Sequence, residues 1–257
     1  MGTTQRRRWI VRTVDSDGYA EVKSLADRAG VDSSTIRRDL IVLADQGHVV
    51  RTHGGAKAVS DNAGPSGGEQ DRRLRVVQIA EVAARRVKPG DVVILDGGDI
   101  GQRIVAALES VEDLTIITND ISIAAHISRR SDVRLLMTGG ELTGPGSILG
   151  GDRTVQSMAG LLADWAFIEV DGIDPLAGIT VSTISQLASK RAFMDAAART
   201  CALADSSLFG KRTLTRIGAI DAFDLIITDS DLPDEALPAY LGRVVRAAEP
   251  TAPIAVG

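Results

Sequence analysis

Three features of the 257-residue sequence predict an α/β chain in two parts: an N-terminal winged helix-turn-helix plus a C-terminal doubly wound, largely parallel sheet. The first sixty residues carry helical apolar spacing and end in a short alternating run. A Gly-, Ser- and Asn-rich stretch follows. Beyond it, short apolar runs alternate with helical patterns to near the end of the chain.

Composition narrows the classes. Hydrophobic residues are 44% and charged residues 25%, enough apolar surface to bury a core, so wholesale disorder is excluded. No window approaches a membrane-spanning apolar run, so no membrane partner is expected. Met1 to Arg12 holds four arginines with no apolar segment after them, unlike a signal peptide. The single cysteine, Cys201, sits in an apolar run and reads as a buried structural thiol. His48, His53 and His126 are scattered without zinc-ligand spacing. No metal and no cofactor are expected, and the cytoplasm is the expected compartment.

Charge is uneven. Residues 1–60 hold ten Lys or Arg against seven acids, whereas the whole chain carries −5. A basic head on an acidic body suggests that the head binds an anion.

The elements follow in order. Residues 5–15 read as a helix with Trp9, Ile10 and Val14 on one side, stopped at Asp17-Gly18. Glu21 to Ala29 reads as a second helix. Asp32 or Ser33 can cap a third, which runs to about Gln46 and stops at Gly47. On the third, Ile36, Leu40 and Leu43 form a stripe at i, i+4 and i+7, with Ser34, Arg37 and Arg38 opposite. Two helices crossing closely need a small residue (Ala26), a turn tolerant of positive φ (Gly30) and an apolar anchor one turn on (Ile36). That is the helix-turn-helix arrangement, whose second helix enters the DNA major groove. Arg37 and Arg38 then reach phosphates or guanine, and Ser33, Ser34 and Thr35 suit phosphate and base contacts. His48 to Gly55 alternates toward a turn and reads as a β wing with Arg51 and His53 toward the DNA backbone. An Arg-Arg pair alone reads equally well as a solvated face; the combination predicts DNA binding.

Residues 57–70 read as a linker between a head at 1–56 and a body at 71–257. In the body, Asp71 to Val87 is a helix pattern. Strands are expected at Val92–Leu95, Leu114–Ile117, Val133–Met137, Trp165–Val170, Cys201–Ala204 and Leu225–Ile227. Helices are expected at Ile100–Leu108, Ile121–Ile127 and Thr183–Ala198. Such alternation implies a parallel sheet covered on both faces, with ligands at the carboxyl ends of its strands. Those ends carry Asp96-Gly97-Gly98-Asp99, Thr118-Asn119-Asp120, Thr138-Gly139-Gly140-Glu141 and Asp171-Gly172-Ile173-Asp174. A glycine loop opening a helix offers N–H groups and a positive dipole end to an anion. Four polar loops on one sheet edge predict a small-ligand site.

The runs Thr35-Ile36-Arg37-Arg38-Asp39-Leu40 and Arg51-Thr52-His53-Gly54-Gly55-Ala56 resemble the DeoR family of bacterial transcription regulators, and the resemblance continues through nearly all of the chain. It implies a regulator, expected to be a repressor, of carbohydrate-metabolism genes, released by a sugar or sugar-phosphate effector. It implies operator DNA and a homo-oligomer as partners, and a C-terminal domain similar to ribose-5-phosphate isomerase. It further implies that Lys190, in Ser189-Lys190-Arg191, faces the effector together with the strand-end loops. The family's first loop usually reads Asp-x-Gly-Thr-Thr; here Asp99 and Ile100 replace the two hydroxyls. Asp99 is therefore expected to cap the helix that follows and exclude a second anion, leaving Lys190 to pair with Asp171 or Asp174. The residues alone leave a second reading open: a sugar-phosphate isomerase-like enzyme with an appended DNA-binding head, using Asp171, Asp174 and Lys190 for acid/base work. The regulator reading assigns no catalytic residue.

Limited proteolysis of the full chain should cut first within 56–70 and leave a stable fragment starting near residue 70. First cuts inside 90–230 would refute the division.

Overall fold

Three short helices close on one another through the apolar stripes that their spacing creates. In a computed structural model, which describes residues 3–17, 19–45, 49–52, 54–58, 67–142 and 146–247, these are α1 (Thr3–Asp17), α2 (Val22–Ala29) and α3 (Ser33–Asp45). Ile10, Val14, Leu25, Ala26, Ile36, Leu40 and Leu43 are buried together. Gly30 takes the left-handed conformation between α2 and α3, at φ 66°, and Val31 N–H returns to the Ala26 carbonyl.

An ion pair locks α1 to α3. Asp39 is 3% exposed at its side chain and accepts Arg6 Nε at 2.6 Å and Arg7 Nε at 2.8 Å. Two arginines of the N-terminal basic run are thus bound inside the head. Arg28 lies 5.4 Å from the ring centre of Trp9.

The head also carries an antiparallel sheet of β1 (Tyr19–Glu21), β2 (Val49–Arg51) and β3 (Gly55–Ala58), in the order β1-β3-β2. The wing is therefore three-stranded. β1 escapes a reading of the sequence because it is only three residues long, exposed-buried-exposed, and lies between two helices. Gly55 is required: a Cβ there would lie 2.2 Å from the Ala20 carbonyl oxygen. β3 runs past the expected end of the head, since Lys57 pairs with Tyr19 and Ala58 with Val49. The next helix, α4 (Gly67–Ala84), begins before the expected residue 71. The chain separates into two compact units, Met1–Asp71 and Arg72–Gly257.

The second unit continues with β4 (Val92–Leu95), α5 (Asp99–Ala107), β5 (Leu114–Thr118), α6 (Ile121–Ile127), β6 (Val133–Met137), β7 (Glu141–Leu142), β8 (Leu149–Gly150) and α7 (Asp152–Ser157). Then come β9 (Trp165–Glu169), β10 (Gly172–Asp174), β11 (Gly178–Val181), α8 (Ile184–Asp195), β12 (Thr200–Leu203), β13 (Thr215–Gly218), β14 (Leu225–Thr228) and β15 (Val244–Arg246). Seven strands form one sheet in the order β15-β14-β12-β9-β4-β5-β6, each pair parallel. Alternate side chains face opposite layers. Val93, Leu95, Trp165 and Phe167 join α4, α5 and α6 in one core; Ile94, Ala166 and Ile168 join α8 in the other.

That second layer holds more than helix. β10, β11 and β13 form an antiparallel sheet against it, so Asp171–Asp174 is a hairpin arm rather than the expected open loop. The hairpin closes because Asp174 accepts the N–H groups of Leu176 at 3.0 Å and Ala177 at 2.7 Å. Cys201, on β12, is fully buried, and burial pushes its thiol pKa up.

The order of strands places the site. The chain lays down β4, moves outward through β5 and β6, then returns to β9 on the other side of β4. The crevice between the carboxyl ends of β4 and β9 is the topological switch point, where ligands bind in such sheets.

Replacing Asp39 by Ala strands the buried Arg6 guanidinium and should destabilise the head by about 3–5 kcal/mol. Arg7→Ala should cost under about 1 kcal/mol, because Arg7 is a third exposed. Urea unfolding of the two variants checks both; equal effects would refute the assignment.

Candidate functional site

The face of α3 away from the core presents Ser34, Arg37, Arg38 and Ile41, all exposed and spaced i, i+3, i+4, i+7. Ser33 and Thr35 are half-buried at the helix start, where Thr35 and Ile36 donate to the Asp32 carbonyl. Arg51 is exposed at the end of β2. His53 lies outside the described residues.

In the second unit the strand-end loops converge. Asp96 follows β4, and its backbone N–H continues the ladder to the Phe167 carbonyl at 3.1 Å. Its side chain, on the same face as Ile94, meets Lys190 of α8. The two form an ion pair with side chains 3% and 4% exposed, and Lys190 Nζ also donates to the Glu169 carbonyl at 2.8 Å. Burial pushes the Asp96 carboxyl up, and Lys190 opposes it.

Gly97 and Gly98 turn the chain into α5. A Cβ on Gly97 would lie 2.5 Å from Ile148, and Gly98 adopts φ 141°. Gly98 N–H donates to Asp120 Oδ2 at 3.2 Å. Asp120 Oδ1 also caps α6, accepting from Ser122 at 2.7 Å and Ile123 at 3.3 Å. The Thr118 hydroxyl accepts Asp120 N–H at 3.1 Å. Asn119 donates its Nδ2 to the Leu149 carbonyl at 2.9 Å, and its Oδ1 is buried with no partner. The segment Ser147–Leu149 thus lies across the ends of β5 and α6, with Ile121 N–H donating to Ser147. Gly139 and Gly140 form a neighbouring turn. Gly139 N–H donates to Ser157, Thr154 donates to the Gly139 carbonyl, and a Cβ on Gly140 would meet Thr154 Oγ1 at 2.4 Å.

Two expectations are corrected here. Asp99 does not cap α5: it is the first helical residue, Gly98 holds the cap position, and the Asp99 carboxylate pairs outward with Arg72 at 2.7 Å. Lys190 pairs with neither Asp171 nor Asp174. Asp171 is turned toward Ser182, accepting from its N–H at 2.7 Å and its hydroxyl at 2.6 Å, and Asp174 closes the β10–β11 turn.

The group at the start of α5 is one that reading the sequence missed. Glu169, the last residue of β9, accepts Ile100 N–H on Oε2 at 3.1 Å. The same oxygen would lie 2.1 Å from a Cβ on Gly98, so only glycine admits it. Burial pushes its pKa up to about 7, with Ile100 N–H and Lys190 opposing and Asp96 and Asp99 adding to the rise. The sequence signal was a lone carboxylate ending the otherwise apolar run Trp165-Ala166-Phe167-Ile168.

Among the described residues no cluster of His, Cys, Asp or Glu could hold a metal ion. No described helix is long and apolar enough to cross a membrane.

Comparison with known proteins completes the assignment. Residues 6–62 match the DeoR-like helix-turn-helix domain and residues 76–230 the DeoR C terminal sensor domain. The chain is thus a DNA-binding transcription regulator that joins a reading head to a sensing body, and not an enzyme. It is 31% identical over 242 residues to the putative aga operon transcriptional repressor of Escherichia coli O157:H7, covering 92% of this chain and 90% of that one. It is 27% identical over 237 residues to the glycerol-3-phosphate regulon repressor of Escherichia coli K12, covering 91% and 93%. It belongs to the DeoR family. A solved ribose 5-phosphate isomerase A from Methanocaldococcus jannaschii overlaps 52% of this chain and 53% of its own, at 15% identity and a TM-score of 0.37, too distant to bear on function.

Glu169 generates a pH prediction. A carboxyl raised in the folded state stabilises the fold fully below its unfolded pKa. That contribution is lost as pH rises from about 4.5 to about 7. Wild type should lose on the order of 3 kcal/mol relative to Glu169→Gln across that window. Urea midpoints at both ends of the window check it; parallel pH profiles would refute the burial of this carboxyl.

Proposed function

We propose that the protein represses carbohydrate-metabolism genes in the cytoplasm and releases its operator when a sugar derivative binds the crevice between β4 and β9. In this reading α3 is the recognition helix. Arg37 and Arg38 reach base edges or phosphates, Ser33, Ser34 and Thr35 anchor the helix start, and Arg51 and His53 of the wing touch the backbone. The effector site comprises Asp96, Gly97, Gly98, Asp99, Thr118, Asn119, Gly139, Gly140, Asp171 and Lys190.

The observation that carries this reading is the buried Lys190–Asp96 pair beneath a glycine loop at the topological switch point. Side chains from two layers are held at the one place where an α/β sheet offers a crevice. The named activities of the two relatives, repression of the aga operon and of a glycerol-3-phosphate regulon, support a carbohydrate-derived signal. The resemblance to the DeoR family supports a homo-oligomer acting on operator DNA.

Titrating the chain against its own promoter DNA, with and without a panel of sugars and sugar phosphates, tests the reading. Release by none of them would sink it. Arg37→Ala and Arg38→Ala should each weaken operator binding by about 1–3 kcal/mol where the side chain reads a base bidentately. Unchanged affinity for both at matched salt would remove α3 as the recognition helix.

A further inference from the structure

We propose that Glu169 sets the chemical class of the effector: it fills the anion position at the start of α5 and turns the site toward a sugar derivative presenting hydroxyl or ammonium donors there, rather than phosphate. The inference rests on the effector reading of the β4–β9 crevice.

Two N–H groups of the loop are already bonded to carboxylates. Ile100 N–H donates to Glu169 and Gly98 N–H to Asp120. The Glu169 carboxylate lies so close over Gly98 that a Cβ there would collide with it at 2.1 Å. The nearby cations are engaged elsewhere. Lys190 is held by Asp96 and the Glu169 carbonyl, and Arg72 by Asp99. A phosphate brought to this helix start meets the Glu169 and Asp120 carboxylates that already hold its N–H groups, while Asp96 and Asp99 neutralise the two cations, and like charges at such separations repel in a partly buried site.

A second observation points the same way. Asn119, adjacent to Asp120, is 2% exposed. Its Nδ2 is committed to the Leu149 carbonyl, which fixes the amide orientation and leaves Oδ1 buried without a partner. An amide oxygen only accepts. The carboxylate at α5 and the orphaned oxygen at the end of β5 both call for a ligand that donates.

The charge on Glu169 depends on pH, because burial raises its pKa to about 7. Facing it are Asp96 from β4, Asp99 and Ile100 N–H from α5, Lys190 from α8, Arg72 from α4 and, across Gly98, Asp120 from α6. Protonation below that pH removes the Glu169 share of the repulsion and lets the site accept an anion more readily.

Inorganic phosphate is the probe, titrated calorimetrically into full-length wild type, Glu169→Gly and Glu169→Gln. At about pH 8.5 wild type should bind phosphate at least about tenfold more weakly than Glu169→Gly, with Glu169→Gln between them. The gap should narrow near about pH 6, a change that a purely structural role for Glu169 would not produce. Glu169→Gln keeps the shape of the side chain and serves where Glu169→Gly fails to fold. Equal phosphate binding by wild type and both variants at the higher pH overturns the proposal, and so does the absence of phosphate binding in all three. A parallel arm measures release from promoter DNA by matched pairs of a free sugar or amino sugar and its phosphate ester. Unphosphorylated members should act on wild type and phosphorylated members on Glu169→Gly; the reverse preference in wild type overturns the proposal. If phosphate separates the variants as expected but no sugar of either kind releases DNA, the effector reading fails and the role of Glu169 at α5 stands.

Discussion

The buried pair of Lys190 and Asp96 is the interaction on which the second unit's organisation turns. Its two side chains are 4% and 3% exposed, so neither charge is repaid by water. Truncating one partner of such a pair costs about 3–5 kcal/mol, because the other is left charged and buried. Its position explains the expense. Asp96 points into the layer that holds α8, and Lys190 also binds the Glu169 carbonyl. One ammonium thus ties the ends of β4 and β9 together, the two strands between which the chain reverses direction across the sheet. Above the sheet plane Glu169 shares the face of Trp165 and Phe167 and reaches α5. The crevice is therefore framed by a cation held from one layer and a carboxylate held from the other.

Carboxylates elsewhere at the strand ends do a plainer job. Asp120 caps α6, Asp171 holds Ser182, Asp205 accepts Ser207 N–H at 2.9 Å, and Asp229 accepts Ser206 N–H at 2.7 Å. Each satisfies backbone donors that a loop or helix start would leave orphaned. Their number is a consequence of a parallel sheet, in which every strand ends in a polar loop at the same edge. What distinguishes Glu169 is its origin on a strand rather than a loop, which fixes its backbone within the ladder.

The sequence made local patterns legible and left long-range pairings dark. The helix-turn-helix could be read because Ala26, Gly30 and Ile36 act within a dozen residues of one another. Strands β4, β5, β9, β12 and β14 could be read as apolar runs because they are buried on both faces. β1, β10 and β15 are three residues each, too short for a period to declare itself. The burial of Asp39, between exposed Arg38 and core Leu40, cannot be read locally because its partners lie 32 and 33 positions away on α1. Position alone cannot separate the residue before a helix from the first within it, as at Asp99, whose partner Arg72 is 27 residues distant. Glu169 could not be connected to α5, 69 residues away, without knowing that β9 lies beside β4.

The same limit bears on how charge should be read in the head. Ten Lys or Arg in the first sixty residues suggest a broad anion-binding surface. Arg6 and Arg7 are removed from it by Asp39, and Arg28 lies over Trp9. The remainder includes Arg37 and Arg38 on α3, Arg51 on β2, and exposed Lys23 and Lys57. Each phosphate neutralised steepens the salt dependence of binding by about 0.9 in log–log slope, so a footprint drawn from total charge overestimates that slope. Through Asp39, Arg6 and Arg7 fix α1 against α3, the helix whose outer face carries Arg37 and Arg38. Asp39 sits directly after Arg37 and Arg38 in the chain, so one helical step turns α3 from an exposed basic face to a buried carboxylate that anchors it to α1.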